Sequence, residues 1–268
     1  MIIDFHTHSF PDALAPRAMA ALKANNTCDM PITAHTDGTA ADAERLLSSA
    51  GISHAVVCNI ATNAKQEHNV NSYAISLTDN PFFIPLGSLH PDSESVEEEL
   101  SRLSAAGIKG IKLHPDYVRI PLSDTRYDRL LSAISDRGMF CVMHTGFDPV
   151  SPDKIHATPD MLRETIKKHP KLTLVAAHMG GFRLSREVLS TLVGTGIYID
   201  TSLSSIREDE WETLHRILNE HDEDRILFGT DTPWSDPKKE IEFINEAPIS
   251  EERREKIFNV NAKRLLKL

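Results

Sequence analysis

The sequence predicts one α/β domain, a (β/α)8 (TIM) barrel of eight parallel strands. Eight short apolar runs alternate with amphipathic segments along the chain. Most of these runs are continuously apolar, which is typical of parallel strands that are buried on both faces. The chain has 268 residues, and one such barrel typically takes about 250. No linker or shift in composition divides the chain, so we expect a single domain over residues 1–268.

The strands are predicted where the apolar runs lie, and most of them are about one strand-plus-helix unit apart. They cover residues 2–8, 55–60, 82–90, 110–114, 140–146, 172–180, 197–202 and 226–231. Eight such repeats favour a closed barrel over an open, doubly wound sheet. No Gly-x-Gly-x-x-Gly motif follows the first strand, so a dinucleotide-binding fold is disfavoured.

Helices are predicted between the strands from amphipathic segments. They cover residues 40–50, 96–106, 126–136, 159–168 and 209–220. Thr158 suits the N-cap of the fourth segment, and Pro159 occupies its first helical position, where proline is well tolerated. The connection over residues 9–38 is longer than the others and contains three prolines. It is either a lid over the site or a helical insertion that only caps the barrel.

Composition excludes several classes of partner. The 29 basic and 39 acidic residues give a formal charge of −10. Without basic runs, this charge argues against binding to nucleic acid and to anionic membranes. No apolar run approaches the roughly 20 residues of a membrane span, and the N-terminus does not read as a signal peptide. We therefore expect a cytoplasmic protein with a small-molecule substrate and without nucleic-acid or membrane partners.

The cysteines give no sign of a structural zinc site or of disulfides. Cys28, Cys58 and Cys141 are far apart and form no C-x-x-C pair. Neither a zinc ribbon nor a disulfide framework is therefore predicted. Cys58 and Cys141 lie inside apolar runs, where we expect buried, reduced thiols.

The first strand carries His6-Thr7-His8, a pattern that suits metal binding. In a strand, residues i and i+2 point to the same face and are roughly 7 Å apart. Two imidazoles at that separation can converge on one ion, although His-x-His is also common by chance. Similar residues stand at the ends of other predicted strands: Lys112, His114, His144, His178 and Asp231.

In a barrel the C-terminal ends of all strands meet at one rim, where active sites form. Taken singly, His144 or His178 could be a core histidine, and Asp231 could cap the next helix. Several imidazoles and one carboxylate at the same rim are harder to explain by chance. Together they predict a metal site of the kind that zinc favours.

These motifs resemble those of the amidohydrolase superfamily, and most closely its branch of aminocarboxymuconate-semialdehyde decarboxylase-like proteins. The resemblance extends from DFHTH at residues 4–8 to NVNAKRLL at 259–266. It implies that four residues ligate a divalent metal: His6, His8, His144 and Asp231. Zinc is the expected ion, with manganese or iron as alternatives. The resemblance also implies that His178 orients and deprotonates the attacking water or ligates a second metal.

Lys112 separates two versions of such a site. In the two-metal branch of the superfamily, a lysine of strand four becomes a carboxylated bridging ligand, in a context similar to Lys112-Leu113-His114-Pro115. The single-metal relatives argue against a second ion. Lys112 could also stay protonated and bind a substrate carboxylate or pair with Asp231. The sequence leaves one metal or two open.

Other rim residues are candidates for substrate binding, each with a structural alternative. Arg183 could clamp a carboxylate or lie in solvent at the start of a helix. His114 could contact substrate or cap its strand. The aromatic side chains of Tyr117, Phe147 and Trp234 could form a wall of the site or pack beneath loops. Asp4 could orient a ligand histidine or make a structural hydrogen bond at the barrel floor.

The chemistry predicted for this site is hydrolysis of a small amide, ester or lactone by a metal-activated water. Asp231 would take the proton of the water and deliver it to the leaving group, while His178 or the metal polarises the carbonyl. A metal-dependent decarboxylase of a small unsaturated or aromatic acid is the main alternative. A phosphoesterase and a catalytically silent metal-binding barrel are further alternatives. A homodimer is expected from the family resemblance alone.

Overall fold

The structure contains the predicted barrel of eight parallel strands. The computed structural model describes residues 1–26 and 33–268. The strands neighbour one another in chain order, from β1 to β8. They are β1 (Ile2–Thr7), β2 (Ile52–Cys58), β3 (Phe83–Ser88), β4 (Gly110–Leu113), β5 (Phe140–Met143), β6 (Thr173–Ala176), β7 (Tyr198–Asp200) and β8 (Ile226–Leu227).

Backbone hydrogen bonds between the first strand and the segment after β8 close the ring. The N–H of Phe5 donates to the carbonyl of Phe228 at 2.7 Å, and the N–H of Asp231 donates to the carbonyl of His6 at 2.7 Å. Thr7 and Thr232 form a parallel bridge one step further on. The chain after β8 therefore follows β1 up to the rim and carries Asp231 to His6.

Helices cover the outside of the barrel. They are α1 (Ala15–Ala24), α2 (Ala40–Ser49), α3 (Glu67–Ser76), α4 (Val96–Ala105), α5 (Pro115–Val118), α6 (Thr125–Asp136), α7 (Pro159–Lys168), α8 (Ser185–Thr191), α9 (Trp211–Glu220), α10 (Pro237–Glu246), α11 (Glu251–Glu255) and α12 (Asn261–Leu266). A π-helical segment, Lys256–Val260, joins α11 to α12. The predicted cap of α7 is confirmed, because the Thr158 side chain accepts from the N–H of Met161.

Two apolar layers hold these elements together. The outer layer lies between strands and helices and includes Leu103 of α4 and Ile217 of α9. Burying each such side chain stabilises the fold by about 1.5–3 kcal/mol. The inner layer fills the barrel, where the rings of Phe5 and Phe140 lie 5.6 Å apart. Leu266 of α12 belongs to this inner layer.

The C-terminal helix covers the barrel end that is opposite the rim. Ala262 and Leu266 of α12 pack against the inner layer. The carbonyl of Leu266 accepts a hydrogen bond from Lys109, just before β4 begins, and Asn261 donates to the carbonyl of Ile226 at the start of β8. These contacts place α12 at the N-terminal ends of the strands, so the barrel floor is closed.

The helix predictions agree with the structure to within two residues, but the strand predictions ran too long. The strands predicted to end at residues 146, 180 and 231 end at Met143, Ala176 and Leu227. The chain leaves the ladder there to form the rim, so the rim residues follow the strands. Helices α1, α3, α5, α8 and α10–α12 were not predicted; α5, α8, α11 and α12 are short, and α3 carries a weak apolar pattern.

The long connection after β1 contains helix α1, as expected for a helical insertion. Its later part reaches the rim, where the N–H of His35 donates to the carbonyl of Pro233 at 2.8 Å. Cys28 and Pro31 of this connection lie outside the described residues. The other two cysteines, Cys58 and Cys141, are buried free thiols, as predicted.

Within residues 1–26 and 33–268, every helix is too short or too polar to cross a membrane.

Candidate metal centre

The two histidines of β1 are held through their Nδ1 atoms. Nδ1 of His6 lies 2.8 Å from Oδ2 of Asp200, and Nδ1 of His8 lies 2.8 Å from the carbonyl oxygen of Cys58. A carboxylate and a carbonyl both accept hydrogen bonds, so each Nδ1 carries the proton. In each neutral ring, Nε2 is then left with a free lone pair.

Both lone pairs face one carboxylate oxygen. Nε2 of His8 lies 3.0 Å from Oδ1 of Asp231, and Nε2 of His6 lies 3.4 Å from the same atom. When His8 is neutral, its Nε2 and the carboxylate of Asp231 face each other as acceptors, whereas Nε2 of His6 also has the amine of Lys112 as a neighbour, 2.9 Å away. A divalent cation would remove this conflict, and zinc, manganese and iron accept imidazole and carboxylate donors. The three donor atoms lie within 4.8 Å of one another, so these residues fit a bound metal.

A tight turn aims Asp231 at the histidines. Its φ is +68°, a left-handed conformation that costs a non-glycine residue about 1–2 kcal/mol. The N–H of Asp231 is bonded to His6, and its carbonyl accepts from the N–H of Trp234 at 2.8 Å. Asp236, not Asp231, caps the next helix, since it accepts from the N–H of Lys238. The helix-cap alternative for Asp231 is therefore wrong.

Lys112 of β4 lies beside the same group. Its side chain is only 1% exposed, and its Nζ is 2.9 Å from Nε2 of His6. The amine of Lys112 therefore contacts a candidate ligand, His6, and its hydrogen bond goes to this imidazole and not to Asp231. A buried amine in this position fits either a single-metal site with a protonated lysine or a two-metal site with a modified one.

His178 is oriented by Asp200 and Ser202 of the seventh strand end. Oδ1 of Asp200 accepts from the His178 N–H at 3.1 Å and from the Ser202 hydroxyl. Because that hydroxyl donates to Asp200, its oxygen accepts from Nδ1 of His178, 2.8 Å away. Nε2 of His178 is then free of a proton. It points at Nδ1 of His144, 3.1 Å away.

His144 contacts His178 through its Nδ1, but the sets of potential ligand atoms place His144 with His114 and Asp116, and His178 with His6 and Asp200. Among the described residues, no group of ligand atoms within 4.8 Å contains all four predicted ligands His6, His8, His144 and Asp231. The close approach of His144 Nδ1 and His178 Nε2 has two interpretations. It is a direct hydrogen bond, or it is a pair of donors to a second cation.

Two aspartates lie on the far side of the His144 ring. Its Nε2 is buried and has no hydrogen-bond partner within the described part of the chain. Oδ2 of Asp148 is 3.7 Å from this atom, and Oδ2 of Asp116 is 4.0 Å from it. Burial raises the pKa of Asp148 to about 7. A ligand histidine often donates its other ring N–H to a carboxylate, and these two carboxylates are placed for that role.

Burial keeps the imidazoles of the centre neutral. It lowers the pKa of His6 well below its ordinary value, and the nearby charge of Lys112 adds to the effect. Burial also lowers the pKa of His144 and of His178. Neutral imidazole is the form that binds metal ions, so the unprotonated ring nitrogens are available at pH 7.

His114 and Tyr117 form a stack with His144. The His114 ring lies 3.9 Å from that of His144 and 3.7 Å from that of Tyr117. Nδ1 of His114 accepts from the N–H of Tyr117 at 3.3 Å, which supports the capping alternative for His114. Because the two imidazole rings are nearly parallel, an ion on the lone-pair axis of one lies well out of the plane of the other. The stack therefore packs against the His144 ring and holds its orientation.

Arg183 and Trp234 line a cavity of about 1170 Å³ beside the rim. The guanidinium of Arg183 lies 5.0 Å from the ring centre of Phe147. Phe182 and His35 also line this cavity. Arg183 and Trp234 are thus on a surface that a substrate can reach, whereas His114 and Tyr117 are packed below it.

Comparison with known proteins gives the family. The sequence model described as Amidohydrolase matches residues 3–268. The chain belongs to this amidohydrolase family. The resemblance inferred from the histidine motifs is therefore confirmed. Among curated proteins, none matches the chain significantly in sequence.

Solved structures share the barrel of this family member at low sequence identity. An uncharacterised TIM-barrel protein from Bordetella bronchiseptica is 21% identical, covers 99% of this chain and 98% of its own, and has a TM-score of 0.76. A proposed 2-pyrone-4,6-dicarboxylic acid hydrolase from Pseudomonas putida is 19% identical (99% and 97% covered, TM-score 0.70). The manganese-bound 5-carboxyvanillate decarboxylase of Novosphingobium aromaticivorans is 14% identical (100% and 97% covered, TM-score 0.71).

Sequence reasoning missed five residues of the site: Asp200, Ser202, Asp116, Asp148 and Arg207. Asp200 and Ser202 could have been predicted, because they stand at the end of predicted strand seven and strand ends meet at the rim. Asp116 lies in the short helix α5, Asp148 and Arg207 lie in loops, and none of the three stands within a predicted strand end.

Of the two alternatives for Asp4, the structure shows the structural hydrogen bond and not the orientation of a ligand histidine. Its carboxylate accepts from the N–H of His6 and from the N–H and hydroxyl of Thr230, not from a ring nitrogen. Burial raises the pKa of Asp4 to about 8. Asp4 therefore joins β1 to the segment after β8, as in the structural alternative.

Proposed function

We propose that this protein is a metal-dependent hydrolase of a small amide, ester or lactone. One observation carries the proposal: the Nε2 atoms of His6 and His8 converge with a carboxylate oxygen of Asp231 at the barrel rim. A divalent ion held by these residues would supply an acidified water and polarise a substrate carbonyl.

The other side chains of the site have separate proposed roles. Asp200 and the Cys58 carbonyl hold the two β1 imidazoles in the tautomer that binds an ion. Asp231 stands beside that position, and a carboxylate there can take a proton from the attacking water and return it to the leaving group. The unprotonated Nε2 of His178, when it does not accept from His144, can accept a hydrogen bond from the water or from a substrate hydroxyl. Arg183 is placed in the cavity to bind a carboxylate of the substrate.

The number of ions depends on Lys112. We propose measuring metal content in chelator-free protein by plasma mass spectrometry, beside the Lys112→Ala variant. About two ions per chain in the wild type, falling in the variant, would support a carboxylated lysine and a screen of cyclic amides and lactones. About one ion per chain in both proteins would support the single-metal version.

Decarboxylation of a small aromatic or unsaturated acid is the second candidate. Its support is that structures of the same fold include a manganese-bound 5-carboxyvanillate decarboxylase. The same residues would hold the ion, and the ion would then bind substrate oxygens as a Lewis acid.

Turnover in ¹⁸O-labelled water distinguishes the two candidates. Libraries of amides, esters, lactones and carboxylic acids would be screened with the zinc, manganese and iron forms. Hydrolysis places one labelled oxygen in the organic product, whereas decarboxylation releases carbon dioxide and leaves the label out. The double variant His6→Asn/His8→Asn serves as control and should lose either activity. Absence of turnover by every metal form would overturn both candidates and favour a silent metal-binding barrel.

A further inference from the structure

The turn that carries His178 has an unusual backbone. His178 has φ of +57°, Met179 has φ of +60° and Gly180 has φ of +83°. Left-handed conformations in two successive non-glycine residues are rare and persist only where the surroundings enforce them. Something outside the turn must therefore hold it.

Arg207, in the loop after β7, makes the contacts that do so. Its side chain is 2% exposed. Nη1 donates to the carbonyl of His178 at 3.2 Å, and Nη2 donates to the carbonyl of Gly181 at 3.4 Å. The guanidinium also lies 5.3 Å from the ring centre of Phe182. One planar group thus binds both ends of the turn and packs on the residue that follows it.

Glu210 fixes the guanidinium in turn. Its Oε2 accepts from Nε of Arg207 at 2.7 Å, and its Oε1 accepts from the hydroxyl of Ser185 at 2.6 Å. Ser185 begins helix α8. The pair therefore links three segments: the turn after β6, the loop after β7 and the start of α8.

We propose that Arg207 is a positioning residue for His178. The backbone of His178 is held on one side by Asp200, which accepts its N–H, and on the other by Arg207, which donates to its carbonyl. With both sides fixed, the imidazole keeps the orientation that presents Nε2 to the site. Only the kinetic consequence of this inference rests on the proposed hydrolase function.

The first test needs no substrate. Metal-free protein with ¹⁵N-labelled histidine would be compared with Arg207→Met by NMR, with His178 assigned from His178→Asn. The wild type should show one tautomer, protonated at Nδ1. In Arg207→Met the two ¹⁵N shifts of His178 should move towards tautomeric averaging. Arg216→Met is the matched control, because Arg216 pairs with Glu220 on an exposed helix face. Unchanged His178 shifts in Arg207→Met would overturn the proposal.

Two further variants guard against a general loss of folding. Lysine keeps the charge but cannot reproduce the planar fork of arginine, so Arg207→Lys should resemble Arg207→Met. Glu210→Gln leaves Arg207 in place and should shift the His178 signals in the same direction, but less. Melting temperatures of all variants would be measured in parallel. Wild-type His178 shifts in the folded Lys variant would contradict the inference.

The kinetic test uses whichever substrate the screen finds. In Arg207→Met, kcat should fall about 10- to 100-fold, as for other residues that orient a ligand or a base, with little change in KM. Because Arg207 borders the cavity, added guanidinium should restore part of kcat in this variant and not in Arg216→Met. Full activity in Arg207→Met, or loss without any rescue, would overturn the positioning role.

Discussion

At the scale of single residues, the properties of the centre depend on which ring nitrogen carries a proton. Asp200 decides this for two histidines. It accepts directly from Nδ1 of His6 and, through the hydroxyl of Ser202, controls Nδ1 of His178. Both rings thereby present an unprotonated Nε2 to the rim. A single buried carboxylate thus prepares both imidazoles for the same task.

Replacing Asp200 with asparagine should weaken metal binding. The amide N–H₂ can face His6 Nδ1 and favour the wrong tautomer, so we expect the zinc dissociation constant to rise about 10- to 100-fold. Competition with a chromophoric chelator measures it. Asp160→Asn is the control, because Asp160 is an exposed residue paired with Arg163. A dissociation constant within twofold of the wild type in Asp200→Asn would refute the role of Asp200.

Lys112→Met should stabilise the metal-free protein. An unmodified Lys112 would bury an ammonium that is bonded to an imidazole rather than to a carboxylate, and an apolar side chain of similar size avoids the cost of burying that charge. We expect a gain of about 1–4 kcal/mol in the free energy of unfolding, measured with urea after chelation. Lys167→Met, at an exposed position paired with Glu164, should change little. A loss of stability in Lys112→Met would instead indicate a modified, paired lysine.

At the scale of structural elements, the turns after β5 and β6 are built against each other. Gly146 has φ of +90° and forms an isolated bridge with Phe182. A Cβ at Gly146 would lie 2.1 Å from the backbone nitrogen of Phe182. Backbone cannot yield as a flexible side chain can, so this contact fixes how close the His144 turn comes to the His178 turn.

Gly146→Ala should therefore cost far more than a comparable substitution elsewhere. Gly107→Ala is the matched control: φ is +81°, and a Cβ there meets nothing within 4 Å. In both variants an alanine must adopt a left-handed conformation, which costs about 1–2 kcal/mol of unfolding free energy. Gly146→Ala should lose about 1–3 kcal/mol more, because its Cβ collides with backbone. Urea unfolding of both proteins measures the difference. Equal losses would show that the two turns can separate freely.

Glu240 of α10 joins the loops after β7 and β8 and gives the stability of the fold a dependence on pH. It accepts from the N–H groups of Ser204 and Ser205 and from the hydroxyls of Ser205 and Ser235. Burial nevertheless dominates and raises the pKa of Glu240 to about 7. The folded state then binds more protons than the unfolded state between the two pKa values. The stability from this group is present at low pH and is lost as the pH rises to about 7.

Glu240→Gln should remove that slope. The difference in unfolding free energy between wild type and variant should shift by up to about 3 kcal/mol between pH 4.5 and pH 8. Urea titrations at intervals across this range measure it. Glu164→Gln, at an exposed position, is the control and should leave the slope intact. A pH-independent difference for Glu240→Gln would mean that the carboxylate is already ionised in the folded protein.

At the scale of the whole molecule, metal binding should stabilise the barrel, because the donors come from opposite ends of the chain. His6 and His8 belong to the first strand, and Asp231 follows the last. Zinc at about a thousand times its dissociation constant adds about 4 kcal/mol, so we expect the melting temperature to rise by about 10 °C. Calorimetry with and without chelator tests this. The same rise in His6→Asn/His8→Asn would contradict binding at these residues.

Much of the fold was predictable because parallel barrels repeat one pattern. Continuous apolar runs predicted eight strands. Because the C-terminal ends of barrel strands meet at one rim, the sequence also predicted that His6, His8 and Asp231 lie close together. Strand ends were less accurate, since side-chain type does not show where a chain leaves the ladder. Residues after β5, β6 and β8 are apolar or small, yet they form turns.

The arrangement within the site was harder to predict. Sequence showed that His144 and His178 lie at the rim, but not that His144 turns towards His178. That orientation depends on the stack with His114 and on two left-handed turns, which arise from tertiary contacts. Arg207 gave no signal either, since its buried position depends on Glu210, three residues away, and on carbonyls from another loop.

The closed floor of the barrel, where Leu266 of α12 seals the inner apolar layer, has a consequence for the order of events. An ion cannot reach the site through the closed floor, so an ion and a substrate would both enter at the rim. Under the proposed function, a substrate bound at the rim would therefore cover the ion, and the ion would exchange with solvent only while the substrate is absent.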